Sequence, residues 1–158
     1  MSQMTGHPAS PVPVWVGGVS VICVRDGQIL LCKRAEDYLH GEWTQIAGGI
    51  EPGETAVETA LRELQEETGL TPEALYSADW QEMFYMAPKN RFDILPVFVA
   101  MIKSGAQVVL NEEHSDHAWL SVQDACSRVP FPGQRRMIRH VAENFIENAP
   151  PDVLRIPI

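Results

Sequence analysis

Apolar positions follow a strand-type rhythm early in the chain, change to a helical one between residues 50 and 60, and alternate between the two after that. Val14 to Val24 is rich in β-branched residues and predicts a strand, with Gly17-Gly18 inside it marking a bulge or a close backbone approach. Asp26-Gly27 is a tight-turn dipeptide, and the apolar stretch Gln28 to Arg34 after it completes a hairpin. Residues 35 to 42 are polar and predict a loop, and Trp43 to Ala47 predicts a short strand that feeds Gly48-Gly49. Then the period changes. Val57, Ala60, Leu61 and Leu64 stand at i, i+3, i+4 and i+7, which predicts a helix from about Glu54 to Thr68 with Gly69 as its C-cap. Leu75 to Met86 predicts a strand and Ala87 to Arg91 a loop. Ile94 to Ile102 predicts another strand, in which Pro96 calls for an edge or a bulge. Short strands are expected at Val108 to Leu110 and at Ala118 to Leu120, on either side of the acidic loop 111–116. Ser121 can N-cap a helix from Val122 to Ser127. After Pro130 and Pro132, a last helix is expected over 133–148, with Met137, Val141 and Phe145 on one face.

This order of elements predicts an α/β fold, a mixed sheet with helices on both faces. Residues 1 to 13 hold three prolines and predict a flexible lead-in, so residues 14 to 158 form the single expected domain. The acidic balance, 21 acids against 12 bases, argues against a nucleic-acid polymer as partner, because such a polymer rewards a basic stripe. It leaves small phosphorylated substrates open, since a bound cation inverts the local charge. No apolar run approaches membrane-spanning length and the N-terminus lacks a signal pattern, so neither a membrane nor secretion is expected. Cys23, Cys32 and Cys126 are odd in number, lack metal-type spacing, and read as reduced thiols in the cytoplasm.

Chemistry concentrates in the run Arg62-Glu63-Leu64-Gln65-Glu66-Glu67-Thr68-Gly69-Leu70. Glu63, Glu66 and Glu67 are three and four apart and share a flank of the predicted helix. Carboxylates so close repel one another unless a cation sits among them, and hard oxygen ligands favour Mg²⁺ or Mn²⁺. Such a cluster beside a glycine-rich turn points to work on phosphates. The alternative is a solvated acidic helix held by ordinary i,i+4 pairs.

Five residues separate Gly48 from Glu54, and seven separate Glu54 from Arg62. With Glu63, Leu64, Glu66, Glu67, Gly69 and Leu70 at their places, the chain resembles the Nudix hydrolase family at every position that its signature fixes. The resemblance implies a compact α/β/α sandwich and catalytic work by Glu63, Glu66, Glu113 and Arg62. It implies Mg²⁺ (or Mn²⁺) held by Glu63, Glu66, Glu67 and the carbonyl of Ala47. Arg62 would be ion-paired and orient the glutamates, a task suited to a planar guanidinium. Gly48, Glu54 and Gly69 would be structural. The base that takes the proton from water is left between Glu63 and Glu113, with Glu112 the neighbour most easily confused with the latter. Arg34 and Arg91 are candidates for binding substrate phosphates, though an arginine closing a strand is as often a surface residue. Trp43, Trp80, Phe84 and Tyr85 are read mainly as packing, and His114 and His117 as loop residues within reach of a catalytic role.

Glu42-Trp43-Thr44-Gln45-Ile46-Ala47 and the later Glu113-His114 followed by Trp119-Leu120 are similar to the dATP and dihydroneopterin triphosphate pyrophosphohydrolase branch. Glu-His and Trp-Leu also occur in diadenosine tetraphosphate hydrolases. The expected activity is therefore hydrolysis of a nucleoside triphosphate, or a related small triphosphate, to monophosphate and pyrophosphate. A dinucleoside polyphosphate hydrolase and a non-catalytic nucleotide sensor are the alternatives. A homodimer is compatible with all three.

Overall fold

A computed structural model of the chain describes residues 12–158, so most of the expected lead-in over 1–13 lies outside the described residues. The strands are β1 (Val14–Trp15), β2 (Gly18–Arg25), β3 (Gln28–Arg34), β4 (Trp43–Thr44), β5 (Ile46–Gly49), β6 (Ala74–Met86), β7 (Arg91–Met101), β8 (His114–Leu120) and β9 (Arg155–Ile156). The helices are α1 (Ala56–Thr68), α2 (Val122–Arg128) and α3 (Pro132–Val141). The strands join in one mixed sheet whose main order is β4-β3-β2-β7-β6-β9, with β1 on β7, β5 on β2 and β8 on β3.

The hairpin forms where Asp26-Gly27 requires it, and both turn residues have positive φ, 51° and 75°. β2 and β3 pair only beside that turn, at Val24↔Ile29 and Arg25↔Gln28. Beyond it the chain segment 43–49 takes over the pairing. Trp43 and Thr44 bond to β3, while Ile46 to Gly49 bond to β2. The expected strand Trp43 to Ala47 is thus two short strands that change partner at Gln45. This insertion carries the glycine turn into the centre of the sheet.

Side-chain alternation on the central strands divides the core in two. Val19, Val21 and Cys23 of β2 pack with Ala60 and Leu64 of α1. Ile22 and Val24 pack on the other face with Ala125, Met137, Ile138, Val141 and Phe145 of the C-terminal helices. Helices on both faces of a mixed sheet are the α/β sandwich expected. At roughly 25 cal/mol per Å², a fully buried Leu64 or Ile22 contributes about 2 kcal/mol each.

Several expectations need correction. Val108 to Leu110 is not a strand; its one backbone bond to α1 runs from the N–H of Val109 to the carbonyl of Thr68 at 2.8 Å. The segment crosses the end of α1 and meets no strand edge. β7 is interior, bonded to β2 and β6, so of the two places expected for Pro96 the bulge holds and the edge does not. Pro96 faces the irregularity in β6 between Ser77 and Gln81, where Asp79 has φ 50°, and a missing donor costs least there. The last helix gives way at Ala142 to a wider π turn over Ala142–Ile146, with Phe145 still buried. No described helix is long and apolar enough to cross a membrane.

Candidate active site

α1 begins two residues later than expected, because Thr55 is the N-cap. Its hydroxyl accepts from the N–H of Glu58 at 3.2 Å, and the Glu58 carboxylate accepts from the N–H of Thr55 at 2.8 Å. That reciprocal cap fixes the helix start and leaves Glu54 on the preceding turn, outside the helix. Gly69 closes the helix with φ 69° and donates its N–H to the carbonyl of Gln65. Between these ends, Gly48 of β5 lies under Glu63. A Cβ on Gly48 would run into the Glu63 carboxyl, so only glycine lets the helix glutamate rest on the strand.

Arg62 ties this assembly together. Its Nε and Nη2 donate to the two Glu54 oxygens at 2.6 and 2.9 Å. Nη1 donates to Glu63 at 2.8 Å and to Glu66 at 3.1 Å, and Nη2 also donates to the carbonyl of Gly49 at 2.9 Å. One guanidinium thus spans the turn, the strand and two glutamates. The paired Arg62 holds the Glu54 carboxyl down to about 2. Burial pushes Glu63 up against the opposing pull of Arg62.

Glu67 has a different environment. It is 2% exposed, deeper than a solvated helix flank allows, and burial followed by the neighbouring Glu113 carboxyl pushes it up to about 10. Glu113 reaches it from the loop before β8, whose register shifts at Lys33/Arg34 so that His114 faces Arg34. Two bonds anchor Glu113: its carbonyl accepts from the N–H of Ala35 at 2.8 Å, and its own N–H donates to the Asn111 side chain at 3.1 Å. Glu112 points outward and is exposed. Arg34 contributes positive charge near Glu67 and His114, while its guanidinium donates to the Tyr38 carbonyl at 2.8 Å and to Glu36 at 2.9 Å.

Among the described residues, no three His, Cys, Asp or Glu side chains are gathered tightly enough to chelate an ion as they stand. Among the described residues two buried side-chain polar atoms nonetheless lack any partner, Oε2 of Glu67 and Nδ1 of His114. An unmet carboxylate oxygen, with Glu113 against it and Glu63 close enough to repel it, is what a hard cation would satisfy. The donor set therefore fits a divalent metal.

The other expected residues fall at varied distances from this centre. Ala47 lies in β5 beside Gly48 and pairs with Ser20. Arg91 opens β7, donates from Nε and Nη2 to the two Asp93 oxygens at 2.6 and 3.1 Å, and lies over the Trp15 ring at 4.3 Å. That ring in turn covers Gly17 and Gly18, next to the carbonyl of Gly48. Trp43 packs against the core beneath Arg128. Sequence reasoning gave no site role to Ser20, Gln45, Glu82 and Gln134, of which it used Gln45 only as part of a branch resemblance; the four form a largely buried polar group on the α3 side of the sheet. The signal was there: each of the first three is a polar residue amid strand-forming neighbours.

The chain matches the NUDIX domain family model over residues 15–143. It is 33% identical over 103 residues to the asymmetrical bis(5'-nucleosyl)-tetraphosphatase of Rattus norvegicus, covering 64% of this chain and 69% of that one. It is 34% identical over 110 residues to the nucleoside triphosphatase NudI of Escherichia coli, covering 63% and 77%. Its fold superposes on the structure of the E. coli dihydroneopterin triphosphate pyrophosphohydrolase with TM-score 0.68 at 23% identity, covering 84% of this chain and 96% of that one. With the signature intact and a family match across most of its length, the chain belongs to the Nudix family and is a Nudix hydrolase.

Proposed function

We propose that this enzyme is a Mg²⁺-dependent pyrophosphohydrolase that splits a nucleoside triphosphate, or a similar small triphosphate, into a monophosphate and pyrophosphate. The observation that carries this reading is the partnerless Glu67 oxygen, buried beside Glu63 and Glu113 at the glycine turn. Glu63, Glu66, Glu67 and the Ala47 carbonyl would hold the cation, which when bound neutralises phosphate charge and acidifies water. The chain's own groups do the rest. Arg62 fixes Glu54, Glu63 and Glu66 relative to one another before substrate arrives. Glu63 or Glu113 accepts the proton as water adds to phosphorus and the phosphoanhydride bond breaks toward the departing pyrophosphate. Arg34 supplies positive charge for the phosphate chain, and Arg91, held to Asp93 and laid on Trp15, is the weaker candidate for the same role. The similarity to an E. coli nucleoside triphosphatase supports the substrate class. The three free, buried cysteines suit a reducing cytoplasm.

A second reading, hydrolysis of a dinucleoside polyphosphate, is favoured by the similarity to the rat tetraphosphatase. Hydrolysis in ¹⁸O-labelled water with Mg²⁺ distinguishes the two. The expected result is turnover of dATP or dihydroneopterin triphosphate, with label in the monophosphate. Strong preference for diadenosine tetraphosphate, or release of inorganic phosphate first, favours the alternative. Tight nucleotide binding with no turnover on either substrate favours a sensor.

A further inference from the structure

Four polar side chains meet on the sheet face that α3 covers, three of them buried and the fourth, Glu82, half-buried. Ser20 lies in β2, Gln45 at the change of partner between β4 and β5, Glu82 in β6 and Gln134 on α3. Gln134 donates to Oε1 of Gln45 at 3.2 Å, and the N–H of Phe131 holds the other end of Gln134 at 3.3 Å. Gln45 donates from Nε2 to the Ser20 hydroxyl at 3.2 Å and to Oε2 of Glu82 at 3.1 Å. The Ser20 hydroxyl donates to the same Glu82 oxygen. Two neutral donors, braced from α3, therefore converge on one carboxylate oxygen. Among the described residues no Lys or Arg pairs with it. A carboxylate desolvated without a counter-cation is costly, and an apolar side chain would fill the same space at less cost.

The placement suggests what the group does. Oε1 of Glu82 has no partner and is not sealed from solvent. Ser20 pairs with Ala47, one residue before the glycine that carries Glu63, so this carboxylate sits one strand away from the phosphate end of the site. On the α1 side the sheet is closed by packed apolar residues. The α3 side is packed as well over its core, but Glu82 is only half-buried and Met83, Phe84 and Tyr85 after it are exposed, so the organic end of a bound triphosphate can reach the carboxylate along this end of β6. Phe84, two residues beyond Glu82, is 39% exposed, and the Trp15 ring covers Gly17 and Gly18 nearby. These are surfaces on which a flat ring can rest.

We propose that Glu82, held by Ser20, Gln45 and Gln134, determines substrate specificity by accepting a hydrogen bond from an amino-bearing heterocycle. Triphosphates of such rings are preferred over matched substrates without the amino group. This inference rests on the triphosphate reading above. It is tested on the purified, Mg²⁺-loaded enzyme with three matched pairs: ATP against purine riboside triphosphate, dGTP against dITP, and dCTP against dUTP. In the wild type, kcat/KM for the amino-bearing member of at least one pair exceeds its partner by about 10-fold or more. In Glu82→Gln, Ser20 and Gln45 retain the remaining oxygen and the new amide NH₂ faces the substrate. The ratio in that pair then falls to about one or inverts, while turnover of the disfavoured member persists. Equal loss across both members, or an unchanged ratio in a folded variant, overturns the proposal and leaves Glu82 structural. If Glu82→Gln does not fold, Ser20→Ala removes one donor and keeps the acceptor, and an undiminished ratio in that variant overturns it. Wild-type cleavage with no discrimination in any pair overturns this inference alone. Wild-type failure on every triphosphate overturns the underlying reading and this inference with it.

Discussion

Glu67 shows how a residue type that is ordinarily at the surface comes to lie buried beside a second carboxyl. Its place in the signature was legible in the chain, but its burial was not, because its neighbours Cys23, Cys32 and Glu113 come from β2, β3 and the loop before β8, distant in sequence. Burial and the facing Glu113 carboxyl disfavour its charged form, so charge here costs stability in the absence of a cation. Glu67→Gln keeps the shape and removes the charge. Turnover is expected to fall about 10²-fold or more, roughly 2.7 kcal/mol of transition-state stabilisation. The metal-free variant should nevertheless melt at the wild-type temperature or above it. Parallel kinetics and thermal melts check this, and a lowered melting temperature would assign Glu67 to the scaffold.

At the scale of elements, α1 was the clearest feature of the sequence, since its apolar period, its acidic flank and Gly69 all agree. The loop leading to β8 was the least clear, because neighbouring Glu112 and Glu113 are alike in composition. Geometry separates them. The bulge at Lys33/Arg34 and the anchoring bonds from Ala35 and to Asn111 turn Glu113 inward, whereas Glu112 is exposed. At saturating Mg²⁺, Glu113→Gln should lower kcat about 10²-fold or more, the range of a lost proton acceptor. Glu112→Gln should stay near wild type. Equal and small effects from the pair would leave Glu63 as the base.

For the whole molecule, the Glu54–Arg62 pair joins the glycine turn to α1 and makes stability depend on acid. Arg62 depresses the folded-state Glu54 carboxyl from 4.5 to about 2. A depressed carboxylate stabilises the fold above its unfolded value and loses that contribution as pH falls through the folded one. The melting-temperature gap between wild type and Glu54→Gln should therefore be full at neutral pH, narrow below about 4.5 and close near 2. Since Glu54 lies where solvent reaches it, high salt should shrink the gap as well. A gap that stays constant from pH 7 to pH 3, as followed by circular dichroism melts, would remove the pair from the acid response.

The sequence by itself determined the local features: the hairpin at Asp26-Gly27, the stripe and C-cap of α1, and the place of the signature glutamates on it. Each depends on residues near one another along the chain, where period and turn chemistry act directly. The tertiary structure decided what depends on strands meeting. It split the Trp43 to Ala47 strand at Gln45, put Pro96 opposite a bulge inside the sheet, and left Val108 to Leu110 without a strand partner. It also brought Glu113 against Glu67 and gathered Ser20, Gln45, Glu82 and Gln134 around one carboxylate. Those contacts are set by register between segments up to 89 residues apart, which no local pattern encodes.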